Sequence, residues 1–330
     1  MAAIDTTALT KEYGDLTAVD GLDLTVRDGE VFGFLGPNGA GKSTTINMLL
    51  DFTRPTAGSA TVLGYDAQAE ADRISPRIGI IPEGFDIYPR LDGRRHVEFA
   101  IETKEADDDP DEILDRVGLE PEARDRAAGG YSTGMRQRLA MGMALVGDPD
   151  LLIMDEPSSG LDPHGIRELQ DLVRAEAERG TTVFFSSHIL EHVEAVCDRV
   201  GVLNDGELVA VDTIDGLRES IGGESTVELA LADPAAADDL APVAASIDGV
   251  TDVAASGRTL ECTVVDPAAK AIVVTELVDA GATVRDLRIR DVSLESLFAS
   301  LTGAAGATSA AAAPEADAGD PTAAGSGVAE

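Results

Sequence analysis

Basic residues are scarce in this 330-residue chain: 25 Lys and Arg stand against 61 Asp and Glu, a formal net charge of −36. Only four are lysines, Lys11, Lys42, Lys104 and Lys270. So acidic a surface repels a phosphate backbone and argues against a nucleic-acid partner. Cysteine is also sparse. Cys197 and Cys262 fall in different expected domains, form no disulfide framework and suit a reducing compartment. Long apolar runs are missing too: no stretch approaches a membrane span, and Met1-Ala2-Ala3-Ile4-Asp5 does not read as a signal peptide. Any membrane passage must then come from another subunit. The length suggests two domains.

A GC-rich genome explains an Ala, Gly and Arg bias but not the acid excess. A halophilic cytosol at molar salt does. There the Debye length falls to roughly 3 Å, self-repulsion is screened, and a hydrated acidic surface stays soluble. The run Asp107-Asp108-Asp109-Pro110-Asp111-Glu112 then reads as a solvated helix start and not a metal site.

What is present is a complete phosphate-binding loop. Residues 36–44 read Gly36-Pro37-Asn38-Gly39-Ala40-Gly41-Lys42-Ser43-Thr44. Val31-Phe32-Gly33-Phe34-Leu35 before it suits a buried parallel strand, and Thr44 to Leu50 after it carries apolar residues at helical spacing. The glycines let successive backbone N–H groups face an anion, and the helix N-terminus adds partial positive charge. Lys42 would reach the outer phosphates, and the Ser43 hydroxyl would ligate Mg²⁺. The chain is expected to bind a nucleoside triphosphate.

Three more apolar runs end in polar residues: Leu151 to Met154 in Asp155-Glu156, Thr182 to Phe185 in Ser186-Ser187-His188, and Arg77 to Ile81 in Pro82-Glu83. Singly, an Asp-Glu pair is usually a solvated turn and a lone histidine usually structural. The same placement repeated in several runs is different. Ligands of an open parallel sheet bind at the carboxyl ends of its strands, so these groups would gather with the phosphate loop on one edge.

At this point residues 4 to about 215 resemble the nucleotide-binding subunit of an ABC transporter. Tyr131-Ser132-Thr133-Gly134-Met135 resembles the family signature, with Thr133 and Met135 where Gly and Gln are usual. Ser159-Gly160-Leu161-Asp162 matches the D-loop. The resemblance implies ATP and Mg²⁺ as cofactors and assigns roles. Tyr13 stacks on adenine, Asp155 holds Mg²⁺ with Ser43, Glu156 polarises the attacking water, and His188 steadies that water and the γ-phosphate. Glu83 stands where a glutamine is usual; a carboxylate can still ligate Mg²⁺ but adds negative charge near the γ-phosphate. Asp162 of the D-loop would contact ATP, and Ser132 and Gly134 would close over the nucleotide of an opposite subunit, which implies a head-to-tail dimer with itself or a homologous ATPase. The resemblance further implies an integral-membrane permease as partner, met at the cytoplasmic face of the membrane.

The expected fold is therefore α/β: a P-loop NTPase core with a mostly parallel sheet over 1–220, carrying a helical subdomain at about 90–150. Beyond it, strands and helices in β-α-β-β-α-β order suggest a small ferredoxin-like domain over 225–303. Ser293 to Gly303 resembles the closing helix of daunorubicin-type drug-resistance ATPases, which implies an exporter. Residues 304–330, rich in Ala, Gly and acids, read as a disordered tail. Two other readings are a soluble ABC ATPase of translation or repair and a catalytically silent binding module. A single uninterrupted cassette disfavours the first, and intact Lys42, Asp155, Glu156 and His188 disfavour the second.

Overall fold

The computed structural model describes residues 2–220, 225–233, 236–265 and 267–290. Two long strands, β1 (Ala2–Tyr13) and β2 (Leu16–Arg27), form an antiparallel hairpin. β3 (Val31–Leu35), buried throughout, leads through the glycine-rich loop into α1 (Lys42–Leu49). That helix starts two residues earlier than its apolar spacing suggests, because Gly41 already caps it. β4 (Ala57–Val62) and β5 (Tyr65–Asp66) complete an antiparallel sheet in the order β2-β1-β4-β5. The sequence reading missed this sheet. Pairing of β1 with β2 shifts register four times, so the alternation that marks a strand is broken along its length.

After α2 (Ala71–Ile74) comes β6 (Ile78–Ile81), and then the helical region. It comprises α3 (Gly93–Lys104), α4 (Pro110–Arg116), α5 (Pro121–Arg124) and α6 (Thr133–Leu145), inside the stretch expected to be helical. Asp92, Asp109 and Ser132 cap α3, α4 and α6 by accepting backbone N–H groups of the first turn. The acidic run is more engaged than a solvated helix start. Asp108 accepts the Gly147 N–H at 2.9 Å, and Asp111 pairs with Arg94 and Arg124. The hydrogen bond from Arg94 holds the Asp111 carboxyl below its ordinary range.

The chain returns to the core with β7 (Leu151–Met154), α7 (Pro163–Glu178), β8 (Thr182–Ser187), α8 (Leu190–Glu194), β9 (Arg199–Asn204), β10 (Glu207–Asp212) and α9 (Ile214–Ser220). The central sheet runs β10-β9-β3-β8-β7-β6, parallel except for β10 at one edge. β3, β7 and β8 are buried along their whole length because both faces are covered. One face sends Phe32, Phe34, Phe184 and Ile153 against α1 and the antiparallel sheet. The other sends Leu35, Leu152, Val183 and Phe185 towards the helices. Arg116 of α4 ties the helical region to the core by two hydrogen bonds to Glu176 of α7, whose side chain is 1% exposed. No helix among the described residues is long and apolar enough to cross a membrane.

The C-terminal elements are β11 (Ser225–Leu231), α10 (Ala236–Ala245), β12 (Val250–Ser256), β13 (Thr259–Val264), α11 (Pro267–Asp279) and β14 (Val284–Arg290). Their sheet is antiparallel in the order β12-β13-β11-β14, with a core of its own built from Val227, Leu229, Leu260, Leu240, Val273 and neighbours. This is the β-α-β-β-α-β arrangement expected. Both cysteines are free, and burial pushes the Cys262 thiol up to about 11. The helix expected over 293–303 and the tail 304–330 lie outside the described residues.

Candidate nucleotide site

The carboxyl ends of β3, β8, β7 and β6 do meet on one edge, as parallel pairing requires. A cavity of about 470 Å³ opens there, within the range of small-molecule sites. Tyr13, Asn38, Gly39, Gly41, Lys42, Ser43, Thr44, Glu83 and Glu156 line it, together with Leu16 to Ala18 and Asp205-Gly206. Tyr13 is half exposed at the rim, and the Lys11 ammonium sits 4.9 Å from its ring centroid. Two glycines are dictated by space. A Cβ at Gly36 would lie 2.5 Å from the Leu203 carbonyl, and one at Gly41 2.3 Å from that of Ala18, where φ is also +105°. The chain can pass so close to β9 and β2 only without side chains. The first N–H groups of α1, on Lys42 to Thr44, have no acceptor inside the helix, and these three residues line the cavity.

Lys42 is 6% exposed. Its ammonium donates to the carbonyls of Gly36 at 2.7 Å and Pro37 at 3.3 Å, and lies 3.2 Å from Glu156 Oε1. Ala40 stays buried and its carbonyl accepts the Gly206 N–H, pinning the loop to the β9–β10 turn. Glu156 takes φ +48°, a conformation costing a non-glycine residue about 1–3 kcal/mol, the kind of strain that gathers at functional sites. Its Oε2 is 2.8 Å from His188 Nδ1. Its Oε1 is buried and, although near Lys42, is out of line for a hydrogen bond; it is one of three such unsatisfied side-chain atoms among the described residues. Asp155 and His188 flank Glu156 without lining the cavity themselves. Behind this turn, Ser158 Oγ lies 2.8 Å from His192 Nδ1 of α8, and burial lowers the tendency of His192 to protonate.

Ser132, Gly134 and Asp162 are not part of this cavity. Ser132 is exposed at the start of α6, where it accepts the Met135 N–H at 3.2 Å. Asp162 caps α7 by accepting the N–H groups of His164 and Gly165. Sequence reasoning overlooked two contributors. Asp205-Gly206 forms the tight turn between β9 and β10, with φ of +47° and +86°, and an Asp-Gly pair between two apolar runs announces such a hairpin. Ser186 is the other: its hydroxyl donates to Asp155 Oδ1, and nothing in the sequence separates it from Ser187.

The chain matches the family model described as ABC transporter over residues 19–159. The linearmycin resistance ATP-binding protein LnrL of Bacillus subtilis (strain 168) is 35% identical to it over 303 residues, covering 89% of this chain and 96% of that protein. The daunorubicin/doxorubicin resistance ATP-binding protein DrrA of Streptomyces peucetius is 36% identical over 307 residues, 91% of this chain and 92% of the relative. Among solved structures, an ATP-binding subunit of an ABC transporter superposes with a TM-score of 0.60 at 27% identity, covering 67% of this chain and 93% of that one.

Proposed function

The chain belongs to the ABC transporter family as an ATP-hydrolysing subunit, and we propose that it powers export through a separate membrane permease at the cytoplasmic face. The observation that carries this reading is the position of Glu156. A buried, unsatisfied carboxylate oxygen sits beside the phosphate-loop lysine, with a histidine on its other oxygen. Resistance and export functions in the names of similar proteins support the direction.

In this reading Tyr13 stacks on adenine at the cavity rim. The amides of the Gly36–Thr44 loop and the Lys42 ammonium hold the phosphates, so Lys42 exchanges its carbonyl and Glu156 partners for phosphate oxygens. Phosphoryl transfer is then mostly positioning and charge stabilisation. Glu156 accepts a proton from the attacking water, and His188 orients Glu156 and that water.

The donors available for Mg²⁺ are all oxygens: the Ser43 hydroxyl and the carboxylates of Asp155 and Glu83. This hard-donor set fits the ion. Among the described residues no cluster of three or more His, Cys, Asp or Glu could hold a metal alone. Such sparse protein ligation is typical of Mg²⁺, which takes one or two carboxylates and completes its shell with water and substrate phosphates. When bound, the ion neutralises charge developing on the phosphates.

Ser132, Gly134 and Asp162 lie outside the cavity of their own chain, so a second copy, or a homologous ATPase, supplies them in a head-to-tail dimer. The acid excess adapts the surface to a halophilic cytosol. The test is whether a neighbouring reading frame encodes a membrane protein of about six spans, and co-expression of this chain with it. The chain should fractionate with membranes only when that protein is present, and its ATP turnover should change there. Unchanged turnover and an unchanged soluble fraction would contradict transport coupling.

A further inference from the structure

Ser186, at the end of β8, is fully buried, and its hydroxyl serves both acids that follow β7. It donates to Asp155 Oδ1 and accepts the backbone N–H of Glu156 at 2.9 Å. The Asp155 N–H in turn donates to the Ile81 carbonyl of β6 at 2.8 Å. The peptide units on either side of Asp155 are thus held, one from β6 and one from β8, just where Glu156 takes its left-handed backbone conformation. The next residue does something else. Ser187 Oγ closes a local turn with Ile189, donating to its carbonyl and accepting its N–H, and so shapes the segment that presents His188.

We propose that Ser186 is a positioning residue for the hydrolytic site: one hydroxyl fixes the rotamer of Asp155 and the strained turn of Glu156 together. With Oδ1 of Asp155 occupied, Oδ2 is the oxygen left to serve Mg²⁺ or its water shell. With its N–H held, Glu156 keeps its carboxylate between Lys42 and His188. Outer-shell partners of this kind typically matter by about 10–100-fold in metal affinity or activity. The inference rests on the roles proposed above for Asp155 and Glu156.

Ser186→Thr and Ser186→Val test it, because they are nearly isosteric and differ in the hydroxyl. Any packing load from the added methyl is common to both. The Thr variant should keep most of the parental kcat. The Val variant should fall at least about tenfold below it and need about tenfold more Mg²⁺ for half-maximal turnover. ATP binding measured in EDTA should be equal in the two. Ser186→Ala against the parent gives the same comparison if the larger side chains prevent folding. Equal kcat and equal Mg²⁺ midpoints with and without the hydroxyl would overturn the proposal. Asp155→Asn separates the two levels: parental Mg²⁺ dependence in that variant would refute the metal site itself, whatever Ser186 does.

Discussion

Replacing Glu156 with glutamine should leave ATP binding intact and slow hydrolysis by about 10²–10⁴-fold, the usual contribution of a positioned base. The substitution preserves size and the reach to His188 but removes the acceptor needed for the water proton. It also removes the anion 3.2 Å from the Lys42 ammonium, which frees that lysine for phosphate and favours retention of ATP. The ATP-bound dimer should therefore accumulate, seen as a dimeric species by size-exclusion chromatography and as lost phosphate release. Lys42→Ala should behave differently, weakening ATP binding itself. Parental turnover by Glu156→Gln would show that another group takes the proton.

Stability and ATPase activity should both rise as KCl goes from about 0.1 M towards molar levels, where the Debye length shrinks from about 10 Å to about 3 Å. Two effects compete. Salt weakens exposed ion pairs such as Arg73–Glu70, Arg95–Glu98 and Arg174–Asp171, each of which contributes about 0–1 kcal/mol. It also screens repulsion within a chain whose acids exceed its bases by 36. With so few bases to pair, repulsion dominates. ATP is itself a polyanion, so its capture should gain from the same screening. Thermal melts and phosphate release across a KCl series decide it, and a melting temperature flat or falling with salt would leave the acid excess without this cause.

The parallel core was legible because its strands are buried on both faces: Val31 to Leu35, Leu151 to Met154 and Thr182 to Phe185 are near-continuous apolar runs, each ending in chemistry-bearing residues. The C-terminal order of elements was legible from alternation in β11 and β13. The antiparallel sheet was not, because Thr6, Thr7, Thr10 and Lys11 interrupt the pattern of β1 and its register slips. The candidate site was legible where a motif or its placement singles a residue out, as with Lys42 in the glycine-rich loop and Glu156 and His188 at the ends of apolar runs. It was illegible where a common residue gains its role from distance. Ser186 reaches Asp155 across 31 positions of sequence, and Asp205-Gly206 reaches the phosphate loop only because β9 lies beside β3. The acidic run misled in part, since Asp111 finds its arginine partners through the packing of α3, α4 and α5.

The central claim is an ATPase site completed by a second copy, and mixing two inactive chains tests it most directly. Glu156→Gln disables the cavity side, and Ser132→Arg disables the signature side. In a mixed dimer one site carries both defects and the other neither. Phosphate release in molar KCl should be near zero for each variant alone and should return on mixing. Recovery should reach roughly a quarter of the parental rate, since half of random dimers hold one intact site of two. No recovery, with dimers present, would contradict the account.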